Sequence, residues 1–234
     1  MNILTDVINV SKEALKRSLK SLKYLPLLAI VILGLNIAEF WVQTLLSGFS
    51  GGVNFLLGFA RYIITIFFGS ALIGILYDLV MYNRFRINGL IDGYKSFFGP
   101  FSSVMFIYVL LQYAFIFLFN TIPLFDVLGL FILLGIQSLL YEEVYIANNY
   151  GIEAYSNILS FLKENILHWI IPMIFYIYLQ IQMKFSGLAI FNFIFLMRNF
   201  IFSILLAFIY LYKGHLFSLL YNSSRRKREF EGMF

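Results

Sequence analysis

A chain of 234 residues that is 61% hydrophobic, 20% aromatic and only 12% charged has too few polar side chains to coat a soluble globule of its size, which places it among multi-pass membrane proteins. Its formal charge of +5 comes mainly from basic clusters flanking apolar runs, a pattern of membrane orientation and headgroup contact that leaves no basic soluble domain to grip nucleic acid. With no cysteine and two histidines, disulfides, thiolate metal sites, a cysteine nucleophile and a histidine-rich metal centre are excluded, and no cofactor is expected.

In lipid the backbone must satisfy its own hydrogen bonds, so apolar runs of about 20 residues are expected to be helices. A barrel would need an alternation that is absent. The expected fold class is therefore all-α, a polytopic transmembrane bundle of about six spans near 25–46, 54–80, 101–119, 124–146, 166–183 and 189–212. The last could instead begin near Asn199, because Arg198 interrupts it and apolar residues continue past Lys213 and His215 to Tyr221.

Residues 1–24 form an amphipathic N-terminal helix in this reading: Leu4, Ile8, Leu15, Leu19 and Leu22 recur near helical spacing, while Lys12, Lys16 and Lys20 step by four on another face. Such a helix lies in the membrane interface. No A-x-A-like cleavage site follows the first apolar run, so that run is expected to remain as span one. Residues 25–80 make a first hairpin, 84–146 an interfacial helix and second hairpin, 148–221 an interfacial helix and third hairpin, and 222–234 a basic tail. The second interfacial segment, RINGLIDGYKSFFGP, carries Ile87, Leu90, Tyr94 and Phe97; the third, GIEAYSNILSFLKEN, carries Ile152, Tyr155, Leu159 and Leu162. Glu13, Ala14 and Lys23 match Glu153, Ala154 and Lys163 at one constant offset, which suggests a three-fold internal repeat, although the middle copy has Asn88 and Gly89 in place of Glu-Ala.

The basic residues set the orientation. Lys12, Lys16, Arg17, Lys20 and Lys23, then Arg84, Arg86 and Lys95, then Arg225, Arg226, Lys227 and Arg228 fall on one face of an even-span bundle, and the opposite connections SGFSGG, NTIP and MKFSG hold only Lys184. Both termini are thus expected to be cytoplasmic in the cell membrane. Lys12, Lys16, Lys20 and the 225–228 cluster are candidate contacts for anionic headgroups, or simple topological anchors.

An EA-x8-K segment before a span, GIEAYSNILSFLKEN after span four and a short basic tail together resemble the uncharacterised bacterial six-span proteins related to the membrane domain of glycerophosphodiester phosphodiesterases. The resemblance implies a membrane module of unsettled role. The catalytic phosphodiesterase domain is absent from these residues, so its activity is not carried over by the resemblance.

Polar residues within spans are functional candidates because lipid makes them costly. At about 1.5 Å per residue, Glu39 lies roughly 20 Å along span one and Arg61 roughly 10 Å into span two from the other side, so the short loop between them makes an ion pair geometrically easy. Arg198, Asn36, Asp126 and Asn199 complete a candidate polar or solute site, with Gln112, Asn192, Gln180 and Gln182 at similar depths. Against this stand a pair that merely fixes helix register, and an Arg61 that snorkels to the headgroups.

The GFSGG sequence at 48–52 matches a nucleophile pattern, but His168 and His215 fall at the far side of the membrane from Ser50, and Asp78 and Asp126 lie at opposite ends of their spans. No enzyme is expected. Gly34 with Ala38, and Ser70 with Gly74, have small-xxx-small spacing for close helix packing. Trp169, Tyr24, Tyr77, Tyr82 and Tyr145 suit an interfacial belt, and Glu142 and Glu143 are placed to pair with Arg84 and Arg86. Two functions follow: a membrane scaffold or accessory subunit that organises lipid, a protein partner or further copies of itself, which is preferred, and a small transporter or channel for a polar or anionic solute.

Overall fold

The structure, a computed structural model, describes residues 3–47, 54–119, 123–183 and 193–223, and among these it holds helices and no strands. In chain order they are α1 (Ile3–Lys20), a 3-10 turn (Leu22–Tyr24), α2 (Leu25–Ser47), α3 (Asn54–Tyr82), α4 (Gly89–Phe119), α5 (Pro123–Glu142), a π-helical turn (Glu143–Ala147), α6 (Gly151–Gln182) and α7 (Phe193–Tyr221). Among the described residues five helical segments, Leu22–Leu46, Gly58–Tyr82, Gly89–Phe115, Gly151–Gln182 and Phe193–Tyr221, are long and apolar enough to cross a membrane. This is the architecture of a helical membrane bundle.

α1 packs on α6 and α7 through a face the apolar pattern does not mark. Asp6, Val10, Ala14, Ser18 and Ser21 are buried, whereas Leu4, Ile8, Leu15, Leu19 and Leu22 are exposed. In a bilayer an apolar stripe needs no protein cover, and small side chains bring helices closest. The helix stops at a corner where Ser21 Oγ hydrogen-bonds Asn83 Oδ1 at 2.8 Å. Pro26 then sits in the first turn of α2, where its missing N–H is harmless.

The expected interfacial segments two and three are not separate helices. α4 runs unbroken through Pro100. α6 also carries both parts, with non-helical backbone at Asn165 (φ −124°, ψ 17°), one residue before the expected start of span five. α7 runs without interruption past Lys213 and His215, so both lie inside the last helix.

The tightest crossing joins α3 and α4. A methyl group on Gly93 would sit 2.7 Å from the Ser70 carbonyl and 2.7 Å from Gly74 Cα, and one on Gly74 would strike Gly89 and Gly93. The Ser70/Gly74 spacing is thus a real contact. The Gly34/Ala38 spacing is not, since nothing lies within 4 Å of a methyl placed on Gly34.

Trp169 and Tyr145 also depart from expectation. Both are buried rather than in an interfacial belt, with Trp169 donating to Ser138 Oγ at 3.0 Å and packing edge-on to Phe161 and Phe217 at 5.5 and 6.2 Å.

Gly93→Ala is expected to destabilise the detergent-solubilised protein by about 1–3 kcal/mol through overpacking. Gly99→Ala, on the same helix with nothing within 4 Å, is expected to be neutral. Equal thermal midpoints for the two variants would contradict the crossing.

Candidate functional site

A cavity of about 200 Å³ opens between the helices, lined by Asn36 and Glu39 from α2, Thr65 from α3, Gln137 and Tyr141 from α5, Tyr176 and Gln180 from α6, and Tyr210 from α7. Five helices of an apolar bundle therefore each bring polar atoms to one place. Glu39 Oε1 accepts hydrogen bonds from Thr65 Oγ1 at 2.6 Å and from Gln43 Nε2 at 2.9 Å. Among the described residues both donors fall on the same oxygen of the carboxylate. Gln180 Nε2 donates to the Tyr210 hydroxyl at 3.1 Å, and the Tyr108 hydroxyl donates to Gln137 Oε1 at 3.2 Å, with Gln112 behind it at 3.4 Å. Carboxamides and phenols thus continue the polar lining away from the carboxylate.

Tyr210 stacks on Tyr141 at 5.7 Å between centroids and meets Tyr176 edge-on at 5.8 Å. Two of these three rings also carry a cation. The Lys213 ammonium lies 4.1 Å from the Tyr176 centroid, 5.5 Å from that of Tyr210 and 5.7 Å from that of Trp169, and its Nζ is 3.4 Å from Glu142 Oε1. Both charged side chains are essentially inaccessible, 1% and 0% exposed. Taking two ions out of water costs several kcal/mol each. Their mutual attraction and the aromatic faces, worth about 2 kcal/mol or more when desolvated, offset that cost only because all the partners converge.

Of the residues marked from sequence, Glu39, Asn36 and Gln180 line the cavity and Arg61 does not. Arg61 is exposed, and the place facing Glu39 belongs to Thr65, one turn further along α3. The depth estimate was short by that turn, and no Glu39–Arg61 ion pair forms. Arg198 is also exposed, five residues into α7, with its guanidinium 4.8 Å from the Phe195 ring. Asn199 is buried and spends its amide on the Phe195 carbonyl at 2.9 Å, away from the cavity. The side chain of Asp126, Ser50 of the GFSGG sequence and the 225–228 basic cluster lie outside the described residues. Lys12, Lys16 and Lys20 are exposed on α1.

The remaining charges also choose other partners than expected. Arg86 makes two bonds to Asp78, at 2.7 and 2.9 Å, with Arg84 at 3.7 Å from the same carboxylate; the bond to Asp78 holds the Arg86 guanidinium above its ordinary pKa. Glu143 is held by Asn157 at 2.8 and 2.9 Å and by Asn149 at 3.1 Å. His168 meets Asp6 at 3.4 Å, which ties α1 to α6. Glu142 and Glu143 are therefore not partners of Arg84 and Arg86; the π-helical turn that begins at Glu143 leaves them buried with different partners.

Sequence reading missed Lys213, Thr65, Gln137 and the three tyrosines. A signal existed in their spacing: Tyr210 and Lys213 are three apart, Tyr176 and Gln180 four apart, and Trp169 and Tyr176 seven apart, which sets each group on one helical face. No protein-family model, curated protein or solved structure matches this chain.

Lys213→Met alone is expected to destabilise the protein by about 3–5 kcal/mol, because it leaves Glu142 buried and unpaired. Adding Glu142→Gln should return a substantial part of that loss, and a double-mutant cycle on unfolding free energy measures the coupling. Strictly additive losses would mean that the two charges do not act as a pair.

Proposed function

We propose that this chain is a non-enzymatic, six-span membrane protein that binds a small cation or a neutral polar solute in the Glu39 cavity and carries it across the bundle. α5 serves as the fourth span, and both termini lie in the cytoplasm. The observation that carries the reading is the composition of the cavity wall: among the described residues Glu39 is its only charged residue, in a wall of amides, hydroxyls and tyrosines beside the apolar Ile32, Leu35, Phe68 and Leu72. A carboxylate with donors on one oxygen and aromatic faces nearby is a receptor for a cation or an N–H donor. An anionic solute, which the sequence reading allowed, would need Arg61 or Arg198 in the wall, and neither lines it.

A three-fold repeat suits this reading, since transporter folds are commonly built from repeats with the site between them. At the offset that joins Glu13 to Glu153, Ala14 and Ala154, Ser18 and Ile158, Ser21 and Phe161, and Ala29 and Trp169 are buried in both the first and the third copy. A second reading, a scaffold or accessory subunit, is favoured by the exposed leucine stripe and lysine row of α1.

In proteoliposomes, wild-type protein is expected to take up at least one of potassium, sodium, ammonium, methylammonium or a small neutral amide. Glu39→Gln should lower uptake about tenfold or more, the loss of one desolvated charge interaction of at least about 1.4 kcal/mol, while its thermal midpoint without solute stays close to wild type. Absence of uptake across the panel, or uptake that Glu39→Gln leaves unchanged, would remove the carrier reading in favour of the scaffold.

A further inference from the structure

A second cavity, larger and open to the outside, lies where α1 crosses α6 and α7. Its volume of about 490 Å³ falls within the range of small-molecule sites, about 300–1,000 Å³. The walls are apolar: Ile8 and Leu15 from α1, Ile171, Pro172 and Phe175 from α6, and Ile209 from α7. Ile8, Leu15, Ile171 and Phe175 are 52%, 40%, 59% and 56% exposed, so the trough faces outward and the protein itself does not fill it.

Polar groups enter only from Ser11, Lys12 and Tyr212. Among the described residues no carboxylate lines the trough. Glu13, the neighbour of Lys12, is turned to Arg17 at 3.0 Å, and Asp6 lies under α1 against His168. Lys16 and Lys20 continue the exposed cationic row one and two turns on. The trough therefore offers hydrocarbon contact along its length and an uncompensated ammonium with two hydroxyls at its edge. A soluble anion would use only the lysine, and an uncharged hydrocarbon only the walls. A molecule with an acyl chain and a phosphate uses both.

We propose that this groove binds one anionic phospholipid, with an acyl chain along Ile8, Leu15, Ile171 and Phe175 and its phosphate on Lys12, Ser11 and Tyr212. The lipid seals α1 onto α6 and α7, adding to the Asp6–His168 contact on the buried side of the same helix. The site is separate from the Glu39 cavity and stands whether or not that cavity carries a solute.

The test is native mass spectrometry of protein reconstituted in vesicles of equal phosphatidylglycerol and phosphatidylcholine and released into mild detergent, with thermal midpoints measured in each lipid alone. One retained phosphatidylglycerol is expected on wild type and on Lys12→Arg. Each lysine near an anionic surface is worth about fivefold in binding, so Lys12→Glu should cut retention by more than about tenfold. Leu15→Gln should weaken retention of either lipid. Phosphatidylglycerol should raise the midpoint of wild type over that in phosphatidylcholine, and Lys12→Glu should abolish this difference while matching wild type in phosphatidylcholine. Equal retention of the two lipids, no retained lipid, or Lys12→Glu retaining phosphatidylglycerol as wild type does would each overturn the proposal.

Discussion

A charge buried among membrane helices has to find its counter-charge inside the protein, and the pairing of Lys213 with Glu142 meets that demand by fixing the register of α7 against α5. The aromatic residues around the ammonium extend the constraint. Trp169 and Tyr176 come from α6 and Tyr210 from α7, so the cation cannot keep its surroundings unless both helices hold their depth. From there the arrangement propagates: Tyr210 stacks on Tyr141, the residue before Glu142, and these tyrosines close one part of the cavity at Glu39. The cavity has its shape because the ion pair has its place.

The same economy of polar groups explains the termini of the helices. Asp78 collects both Arg84 and Arg86 where α3 ends, and the loop to α4 is short enough that Gly74, Gly89 and Gly93 come into direct contact. Ser21 and Asn83 bind the α1 corner to the same end of α3. Each of these is a polar or small-residue contact made beside a core that still buries large side chains such as Phe101, Trp169 and Phe217, while many other large apolar residues face outward, as expected where the surroundings are themselves hydrocarbon.

This inversion sets what was legible in the sequence. Spans are read from hydrocarbon length, a local property, so five of the six expected runs coincide with helices long and apolar enough to cross a membrane, and the break at Asn165 falls beside the expected entry of span five. Which face of a helix is buried is not local. On α1 the conspicuous Leu4–Ile8–Leu15 stripe turns outward while Asp6, Ala14 and Ser18 turn in, the reverse of a soluble amphipathic helix. Glu39 and Asn36 could be marked because polar residues in a span are rare. Choosing Arg61 over Thr65 as the partner required depth to better than one turn, and assigning Glu142 to Lys213 rather than to Arg84 required knowing that α7 continues unbroken past a lysine and a histidine. Charge alone ranked the arginines first, yet the arginines at 61 and 198 are the ones able to reach outward along a long stem, and the shorter, less conspicuous groups form the site.

The three tyrosines give the proposed carrier a physical limit on how it can work. Tyr176 and Tyr210 line the Glu39 cavity and at the same time face Lys213. A solute that leaves the cavity past these rings must turn at least one of them, and turning Tyr176 takes an aromatic face from a desolvated ammonium at 4.1 Å. The loss, on the order of 2 kcal/mol, is small enough to be supplied by a solute that binds the turned state more tightly, and large enough to keep the closed state dominant without it. A neutral Lys213–Glu142 pair would also present no net charge to a passing cation, whereas either residue alone would attract or repel it strongly in so dry an environment. On the proposed reading, burying both charges together therefore keeps the inner part of the bundle rigid and electrically quiet, and leaves Glu39 as the one charge that a solute in the cavity meets.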